Sequence, residues 1–429
     1  MKRAIVVGSG AGGCAAAREL SLHFEVAVLE AGHAFEPFDR DLSLFEPARR
    51  AGLFLDERMI SLLFPEMRIQ KARDGLVHVT GRCVGGTTAL ATGNALRYDG
   101  DLAAMGLDLS PEFADLARIA PQTREHHRRW SDLTVRLFAA FEELGYDPQV
   151  TPKFMEDADR CVACGRCVLG CRFGAKWTAD RLIEGVPRVT VREGCTVDAI
   201  AIEGGRATGV WFSQKGAGRR FLAADLVVLA AGGLGTPVIL NASGIPTART
   251  LFVDPVICVA APWKGARLDA QLPMPFVAQR DGYILSPYFD WLSFFFNGDW
   301  ARPAHDIMSI MVKFADSSRG SFDGRVLDKP LSVHDREVIV RSVEESKRVL
   351  DVLGVRREDM FLGTLNAGHP GGCLPLTGDT VKTLHDAALP ENLYVADASL
   401  LPRAMGNPPI LTIMALATRV ARVAAGRFA

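Results

Sequence analysis

The sequence lacks an excess of charge of either sign, and it lacks a long hydrophobic run. Its 429 residues include 49 Lys and Arg against 50 Asp and Glu, so the formal net charge is −1. A chain this close to neutral is not expected to recognise a nucleic acid or an anionic membrane through bulk charge. Gly or Pro interrupts each apolar tract before it could span a bilayer, so no membrane-spanning helix is predicted.

A signal peptide is not expected either, because the first predicted strand begins at Ala4. We therefore expect a cytoplasmic protein that reaches a membrane only through a partner. In that compartment, the nine cysteines are expected to be reduced, metal-bound or catalytic rather than disulfide-paired. The length allows two domains or one large composite domain.

A glycine fingerprint is present close to the start of the chain. Gly8, Gly10 and Gly13 follow four apolar residues and precede a predicted helix, with the G-x-G-x-x-G spacing of dinucleotide-binding βαβ units. The N-terminus of such a helix favours a pyrophosphate. Glu30 ends the predicted second strand, where a ribose hydroxyl needs a carboxylate. The alternative is an ordinary turn between core elements, and the stretch alone does not name the dinucleotide.

Other elements follow from residue patterns along the chain. Residues 33–75 are expected to form loops and short helices over the nucleotide, and a second glycine-rich segment, 81–90, is either a ring-contacting loop or a plain turn. A small meander is predicted from strands 189–191, 197–202 and 207–211, and a buried parallel strand is predicted at 226–229. Helices are predicted over 124–145, over 332–353 with a partial capping box from Ser332 and Asp335, and from Pro408 to the C-terminus.

Residues 289–296 form an aromatic run in a region of predicted short strands. One interpretation is the buried face of an antiparallel sheet. The other is the wall of an apolar substrate pocket, or a surface on which a partner docks.

Four segments resemble the glucose–methanol–choline (GMC) oxidoreductases: residues 8–13 with Glu30, 85–97, 228–244 and 392–419. The resemblance is weakest over 250–360. It implies FAD rather than NAD and a composite α/β fold. In that fold, a Rossmann-type FAD-binding domain (1–100, 172–250 and 375–429) adjoins a smaller antiparallel-sheet substrate domain (251–374). A helical segment with a cysteine loop is expected over 101–171.

The resemblance also implies a set of FAD contacts. Asp397 is expected at the ribityl or pyrophosphate region, Val197 near the adenine, and the 85–88 turn along the flavin ring. The N-terminus of the last helix is expected to face the flavin N1–C2 carbonyl edge, where negative charge grows on reduction. No His follows Gly86, so a covalent histidyl link is not expected. The implied contacts are Gly8, Gly10, Ala11, Gly13, Glu30, Ala31, Gly85, Gly86, Thr87, Asn94, Val197, Ala231, Gly232, Asp397, Asn407 and Pro408.

His369 and Asn407 match the positions of the family's acid–base pair. A neutral imidazole with a pKa near ~6.5 can accept the proton of an alcohol while hydride leaves for flavin N5. Asn407 is expected to orient the substrate oxygen and to stabilise the alkoxide.

Cys161, Cys164, Cys167 and Cys171 have the C-x2-C-x2-C-x3-C spacing of bacterial ferredoxin loops. Four thiolates this close in sequence suit an iron–sulfur cluster. Ferredoxin loops continue with Pro and give their fourth Cys to a second cluster, whereas Arg172 follows here and no second motif occurs. Cys171 therefore completes one 4Fe-4S cluster, or three cysteines hold the cluster and the fourth ligand comes from Cys195, Cys258 or Cys373. A 3Fe-4S cluster held by three cysteines stays open as well.

Two alternatives to a cluster stay open at this stage. Structural zinc is one, although its ligands are usually split into two pairs by a longer spacer. A redox-silent loop is the other, since the cysteine run also resembles one in long-chain alcohol oxidases of the GMC family. Sugar-oxidising membrane dehydrogenases of the same family carry a cluster.

We therefore expect an FAD- and iron–sulfur-containing oxidoreductase that moves a hydride between an alcohol CH–OH group and flavin N5. The substrate is expected to be a small apolar alcohol or carbonyl compound. Single electrons are expected to pass to a protein or quinone partner, since the chain has no second fingerprint for NAD(P). One alternative is an enzyme with the same cofactors that acts on a C–C bond of an apolar substrate. The other is a non-catalytic electron-transfer subunit of a larger complex.

Overall fold

A computed structural model describes residues 1–38, 45–54 and 56–429 of the chain. The part of the 33–75 prediction that falls on residues 39–44 and 55 lies outside this description. Helices in the described part are α1 Ala11–Leu20, α2 Glu46–Arg50, α3 Ile60–Leu63, α4 Gly100–Ala104, α5 Ser110–Ile119, α6 Asp132–Glu143, α7 Gly232–Ala242, α8 Trp291–Phe296, α9 Val333–Val352, α10 Thr380–Thr383 and α11 Ile410–Phe428.

The strands of the described part form five sheets. They are β1 Arg3–Val7, β2 Glu25–Leu29, β3 Met67–Lys71, β4 Val77–Gly81, β5 Gln122–Thr123, β6 Gln149–Val150, β7 Lys153–Phe154, β8 Val189–Arg192, β9 Cys195–Glu203, β10 Arg206–Gln214, β11 Gly218–Ala223, β12 Leu226–Leu229, β13 Val256–Pro262, β14 Phe276–Arg280, β15 Tyr283–Pro287, β16 Ile307–Phe314, β17 Ser321–Phe322, β18 Leu327–Asp328, β19 Phe361–Leu362, β20 Asn366–Ala367 and β21 Leu393–Val395.

A parallel sheet with the order β21-β12-β1-β2-β8 carries the glycine fingerprint. In its centre, Ile5 pairs with Val227 on one side and with Ala27 on the other. These strands are almost continuously apolar because both faces of the sheet are buried. The structure therefore confirms the predicted β1–α1–β2 unit and the buried strand at 226–229.

One strand of the predicted meander belongs to this parallel sheet instead. Val189 in β8 pairs in parallel with Val26 in β2. The meander is formed by β9, β10 and β11, of which β11 was not predicted. A short Val-Thr-Val run has the same β-propensity in either sheet, so its sequence did not distinguish the two pairings.

Close packing of α1 on the sheet depends on Gly13. A Cβ at this position would lie 1.9 Å from the carbonyl oxygen of Gly8. The third glycine of the fingerprint therefore brings helix and strand into contact, as expected from the motif. On its other side, α1 packs against α11, and Arg422 in α11 pairs with Glu19 at 3.1 Å.

A larger, mostly antiparallel sheet has the order β3-β4-β20-β13-β16-β15-β14-β6, and β19 also pairs with β13. One face packs against α6 and α9 through residues such as Phe276 and Val312, and the other packs against α8. The β3–β4 hairpin corrects the prediction of loops and short helices over 33–75. Its strands are half exposed at this sheet edge, which obscures the alternation that would identify them.

The aromatic run at 289–296 is neither a sheet face nor part of the large cavity described below. The run instead contains helix α8. Asp290 caps the start of this helix by accepting a hydrogen bond from the backbone N–H of Leu292 at 3.0 Å. Phe294 and the neighbouring rings are buried in the core, so the prediction of a docking surface is also wrong.

The helix predictions have mixed outcomes. The predicted 124–145 helix is interrupted, because a 3-10 turn at Glu125–Arg129 precedes α6 and Ser131 caps the helix. By contrast, α9 and α11 are confirmed, and both hydrogen bonds of the α9 capping box are present.

No helix in the described ranges is long and apolar enough to cross a membrane. The predicted domain boundaries stay a prediction.

Candidate active site

A cavity of about 490 Å³ lies at the carboxyl ends of the parallel strands. In open parallel sheets this edge is the usual place for a nucleotide. The cavity is lined by many of the residues predicted to contact FAD, and also by the predicted base. These residues are Gly8, Gly10, Ala11, Glu30, Ala31, Gly86, Thr87, Val197, Ala231, Gly232, His369 and Asp397.

The glycine-rich segments, which are far apart in sequence, meet at this cavity. A Cβ on Gly86 would lie 2.8 Å from the Cα of Gly10, so the two glycine turns touch. A Cβ on Gly12 would lie 1.9 Å from the carbonyl oxygen of Ala396, next to Asp397. Three of the four segments that resemble the GMC family therefore converge through backbone contacts that a side chain would block.

Glu30 is held at the end of β2 by its neighbours. Its Oε2 accepts hydrogen bonds from the backbone N–H of Ser9 at 3.0 Å and from Ser9 Oγ at 2.7 Å. Its Oε1 accepts a hydrogen bond from the N–H of Gly32 at 2.8 Å. The carboxylate is thereby fixed at the cavity wall, where it retains acceptor capacity for a ribose hydroxyl.

Asp397 joins the C-terminal segment to the start of α7. Its Oδ2 accepts hydrogen bonds from Gly232 N–H at 2.9 Å and from Thr236 Oγ1 at 2.6 Å, and its Oδ1 accepts one from Ser399 N–H at 2.8 Å. Burial raises the pKa of Asp397, although these hydrogen bonds act against the increase. The aspartate thus fixes two walls of the cavity relative to each other.

The residues present fit an extended dinucleotide such as FAD. Gly10 precedes α1, and no side chain caps this helix, so its first N–H groups face the cavity uncapped. Glu30 lies at one end of the cavity lining and His369 belongs to the same lining. FAD bound here would be held by α1, Glu30 and the Gly86 turn.

His369 is half-buried at the cavity wall, beside other titratable groups. Its Nδ1 has no hydrogen-bond partner. Burial, together with nearby Lys313 and His78, lowers the pKa of His369 well below 6.5. The imidazole is therefore neutral at neutral pH, which is the form that can accept a proton.

The segment Val253–Asp254 contacts both predicted catalytic segments. The carbonyl oxygen of Val253 accepts a hydrogen bond from the backbone N–H of His369 at 3.4 Å. Asp254 Oδ1 accepts one from the N–H of Gly406, the residue before Asn407, at 2.9 Å. Asp254 also forms a buried ion pair with Lys313 at 2.7 Å, and its φ of 49° lies in the left-handed region. This strained aspartate therefore connects the two segments.

The side-chain amide of Asn407 is paired within the protein. Its Oδ1 accepts a hydrogen bond from Gln279 Nε2 at 2.8 Å, and its Nδ2 donates to Gln279 Oε1 at 3.2 Å. Asn407, Pro408, Gly13, Gly85 and Asn94 do not line the large cavity. Asn94 instead contacts Met274 and the ammonium group of Lys153.

Sequence reasoning missed several residues of the cavity wall. Ser9 lies inside the fingerprint but was not selected. Thr196 accepts a hydrogen bond from Arg82 Nη2 at 2.6 Å, and both line the cavity. Arg68 and Gln70 reach it from the β3–β4 hairpin, which was itself not predicted. Only Ser9 had a sequence signal, namely its position between two fingerprint glycines.

The four predicted metal ligands lie together in a second, small cavity. Cys161, Cys164, Cys167 and Cys171 all line it. Across the described ranges, no group of three or more His, Cys, Asp or Glu is arranged to hold a metal ion. Cys195, Cys258 and Cys373 do not line this cavity.

The chain was compared with known proteins. The family model for GMC oxidoreductases matches residues 118–271. An uncharacterised protein of Methanocaldococcus jannaschii is 25% identical, with 97% of this chain and 98% of that protein covered. An uncharacterised GMC-type oxidoreductase of Sinorhizobium fredii is 26% identical, with 98% and 94% covered. A long-chain-alcohol oxidase of Arabidopsis thaliana is 23% identical, with 96% and 65% covered.

Among solved structures, pyridoxine 4-oxidase from Mesorbium loti has a similar fold. Its TM-score is 0.73 at 19% identity, with 98% of this chain and 99% of that chain covered. The fold is the mixed α/β fold of GMC oxidoreductase structures, which confirms the predicted fold class. The chain is thus similar in sequence to GMC-type oxidoreductases, and its fold is similar to that of pyridoxine 4-oxidase.

Proposed function

We propose that the protein is an FAD-dependent dehydrogenase that oxidises an alcohol, or reduces the corresponding carbonyl compound, with His369 as the acid–base residue. Bound FAD would supply the hydride acceptor. The main support for this role is the position of His369 in the lining of the same cavity as the glycine turns. Its Nδ1 is buried and has no hydrogen-bond partner. Its lowered pKa keeps the imidazole neutral and able to accept a substrate proton.

A role of Asn407 at the substrate oxygen depends on Gln279. Both hydrogen-bonding groups of the amide are engaged by Gln279. Asn407 Nδ2 has two hydrogens, which it donates to Gln279 Oε1 at 3.2 Å and to the carbonyl oxygen of Met405 at 3.3 Å. For Asn407 to donate to a substrate oxygen, one of these two bonds has to be released while the Oδ1 bond to Gln279 keeps the amide in place. Gln279 is thus proposed as a positioning residue.

We also propose that the four cysteines hold an iron–sulfur cluster that passes electrons to an external protein or quinone. All four cysteines line one small cavity, and a four-iron cluster with four thiolate ligands needs one such ligand for each iron. Structural zinc is less favoured by the sequence, because zinc ligands are usually split into two pairs by a longer spacer. Cys171 is proposed as the fourth ligand, because the other candidates are remote from this cavity.

The two cavities are lined by neighbouring residues, which would allow electron transfer between groups bound in them. Ala91 lines the large cavity, and its neighbour Thr92 lines the cysteine cavity. One short backbone segment therefore separates the proposed flavin site from the proposed cluster.

No specific observation on the described residues favours either of the two alternative functions. The C–C bond chemistry was motivated by the aromatic run at 289–296, which lies in the core away from the large cavity. A non-catalytic electron-transfer subunit needs no acid–base residue, and His369 at the cavity wall favours catalysis instead.

The test is anaerobic flavin reduction by a panel of primary alcohols of increasing chain length, with His369→Gln compared with wild type. We expect His369→Gln to retain FAD but to reduce it about 10²–10⁴-fold more slowly. His127→Gln is the matched control, because His127 is exposed and remote from the cavity lining. Equal rates in His369→Gln and wild type would refute the assignment.

A further inference from the structure

Four lysines in the described part of the chain are buried: Lys153, Lys176, Lys313 and Lys329. Two of them have a carboxylate partner. Lys313 pairs with Asp254 at 2.7 Å, and Lys329 pairs with Asp316 at 2.6 Å. This is the usual arrangement, since an unpaired buried charge is costly.

Lys153 and Lys176 bond only to neutral oxygens. Lys176 Nζ donates to the carbonyl oxygens of Ala89, Ala91 and Cys167 at 2.6, 3.0 and 2.8 Å. Lys153 Nζ donates to the carbonyl oxygens of Thr92 and Pro273 and to the amide oxygen of Asn94. No carboxylate of the described residues lies within ion-pair distance of either ammonium group. Asp180 acts on Lys176 only from a greater distance.

Both lysines line the small cavity together with Cys161, Cys164, Cys167 and Cys171. No Asp or Glu lines this cavity within the described ranges, so the cysteines are its only side chains that can become anionic. Two buried lysine side chains and four cysteines therefore line the same space. Thiolates in that space would supply the counter-charge that Asp254 and Asp316 supply to the other two lysines.

We propose that Lys153 and Lys176 are the buried counter-charges of an anionic iron–sulfur cluster bound by the four cysteines. This inference rests on the cluster of the proposed function. A four-iron cluster with four thiolate ligands carries a net charge of about −2 when oxidised, which two ammonium groups balance. Lys176 has a second role, because its bonds to Ala89 and Ala91 attach the cysteine loop to the wall of the flavin cavity.

A consequence for the redox potential follows from the sign of these charges. Reduction adds negative charge to the cluster, and nearby positive charge stabilises the reduced form. Removing either ammonium group should therefore make the midpoint potential of the cluster more negative. The potential of the flavin should change less, because neither lysine lines the large cavity.

The experiment is an anaerobic potentiometric titration, followed by EPR, of wild type, Lys153→Gln and Lys176→Gln. Iron, sulfide and FAD are measured in each preparation. Lys329→Gln is the matched control, because Lys329 is equally buried and also donates to two carbonyl oxygens, but it does not line the cysteine cavity.

A more negative cluster potential in both cavity variants, with no shift in Lys329→Gln, supports the inference. Loss of iron from variants that still bind FAD, while Lys329→Gln keeps its iron, supports it as well. Unchanged potentials and iron contents in both variants overturn the inference and leave the cluster intact. Wild-type protein that holds FAD without iron or sulfide overturns the cluster itself, and the counter-charge role with it. If a Gln variant does not fold, the corresponding Met variant is titrated in its place.

Discussion

Asn407 and Gln279 form a reciprocal pair of amide hydrogen bonds, at 2.8 Å and 3.2 Å, between the segment before α11 and strand β14. The pair connects the C-terminal part of the flavin-binding half to the antiparallel sheet. It also fixes the orientation of the amide that we propose to face the substrate oxygen.

The Asn407–Gln279 pair predicts unequal effects of two substitutions on the rate of flavin reduction. Asn407→Ala removes the proposed donor to the alkoxide, so kcat should fall about 10²-fold or more. Gln279→Met removes only the group that orients this donor, so we expect a smaller decrease in kcat. Stopped-flow reduction with one alcohol measures both. A larger effect of Gln279→Met than of Asn407→Ala would assign the substrate contact to Gln279 instead.

The environment of His369 predicts the pH dependence of alcohol oxidation. Its pKa lies well below 6.5 because the ring is buried beside Lys313 and His78. A base acts in its neutral form, so its activity should not decline as the pH falls from 8 through 6.5 and should be lost only at more acidic pH. The measurement is kcat/KM for one alcohol against pH. An acid limb centred at 6.5 or above would contradict the structure.

His78 predicts a pH dependence of stability. Both of its ring nitrogens are buried without a hydrogen-bond partner, and burial lowers its pKa to about 4. The unfolded state takes up a proton below about pH 6.5, whereas the folded state does not until about pH 4. The free energy of unfolding should therefore decrease as the pH falls across this window.

The variant His78→Leu removes this proton uptake and the buried unpaired nitrogens. Its Tm should exceed that of wild type, and by more at pH 5 than at pH 7.5. His23→Leu is the control at an exposed position. An equal change in Tm at both pH values would show that His78 titrates normally in the folded protein.

Gly13 and Gly426 offer a matched pair of helical glycines. A methyl group on Gly13 would lie 1.9 Å from the oxygen of Gly8, while one on Gly426 would meet no atom within 4 Å. Gly13→Ala should cost about 3 kcal/mol or more of folding free energy and weaken FAD binding. Gly426→Ala should be neutral or stabilising by up to about 1 kcal/mol. Urea unfolding with flavin fluorescence measures both effects, and equal stabilities of the two variants would refute the close packing.

Local sequence patterns predicted the elements whose residues interact along the chain. The fingerprint at Gly8, the capping box at Ser332 and the helix after Pro409 depend on neighbours within a few residues, and all three are present. The hairpin β3–β4 was missed because its edge position leaves no clear apolar alternation. Helix α8 was missed because its aromatic residues favour a strand, and the cap at Asp290 was not recognised.

The candidate site could likewise be predicted only in part from the sequence. Glycine motifs identified Gly10 and Gly86 separately, but only the fold shows that these residues touch. The cysteine spacing predicted four ligands, whereas only the fold shows that Lys153 and Lys176 line the same cavity as these cysteines. The segment Val253–Asp254 could not be predicted as the link between His369 and Gly406, because these contacts depend on tertiary structure alone.

The central claim is that this chain breaks the carbinol C–H bond of an alcohol with His369 as the base. Its most direct test is anaerobic flavin reduction by one primary alcohol, compared with the same alcohol deuterated at the carbinol carbon, with analysis of the product. The account predicts slower reduction by the deuterated alcohol and one carbonyl product per flavin reduced. Equal rates without a carbonyl product, or an alkene as the product of an apolar substrate, would contradict it.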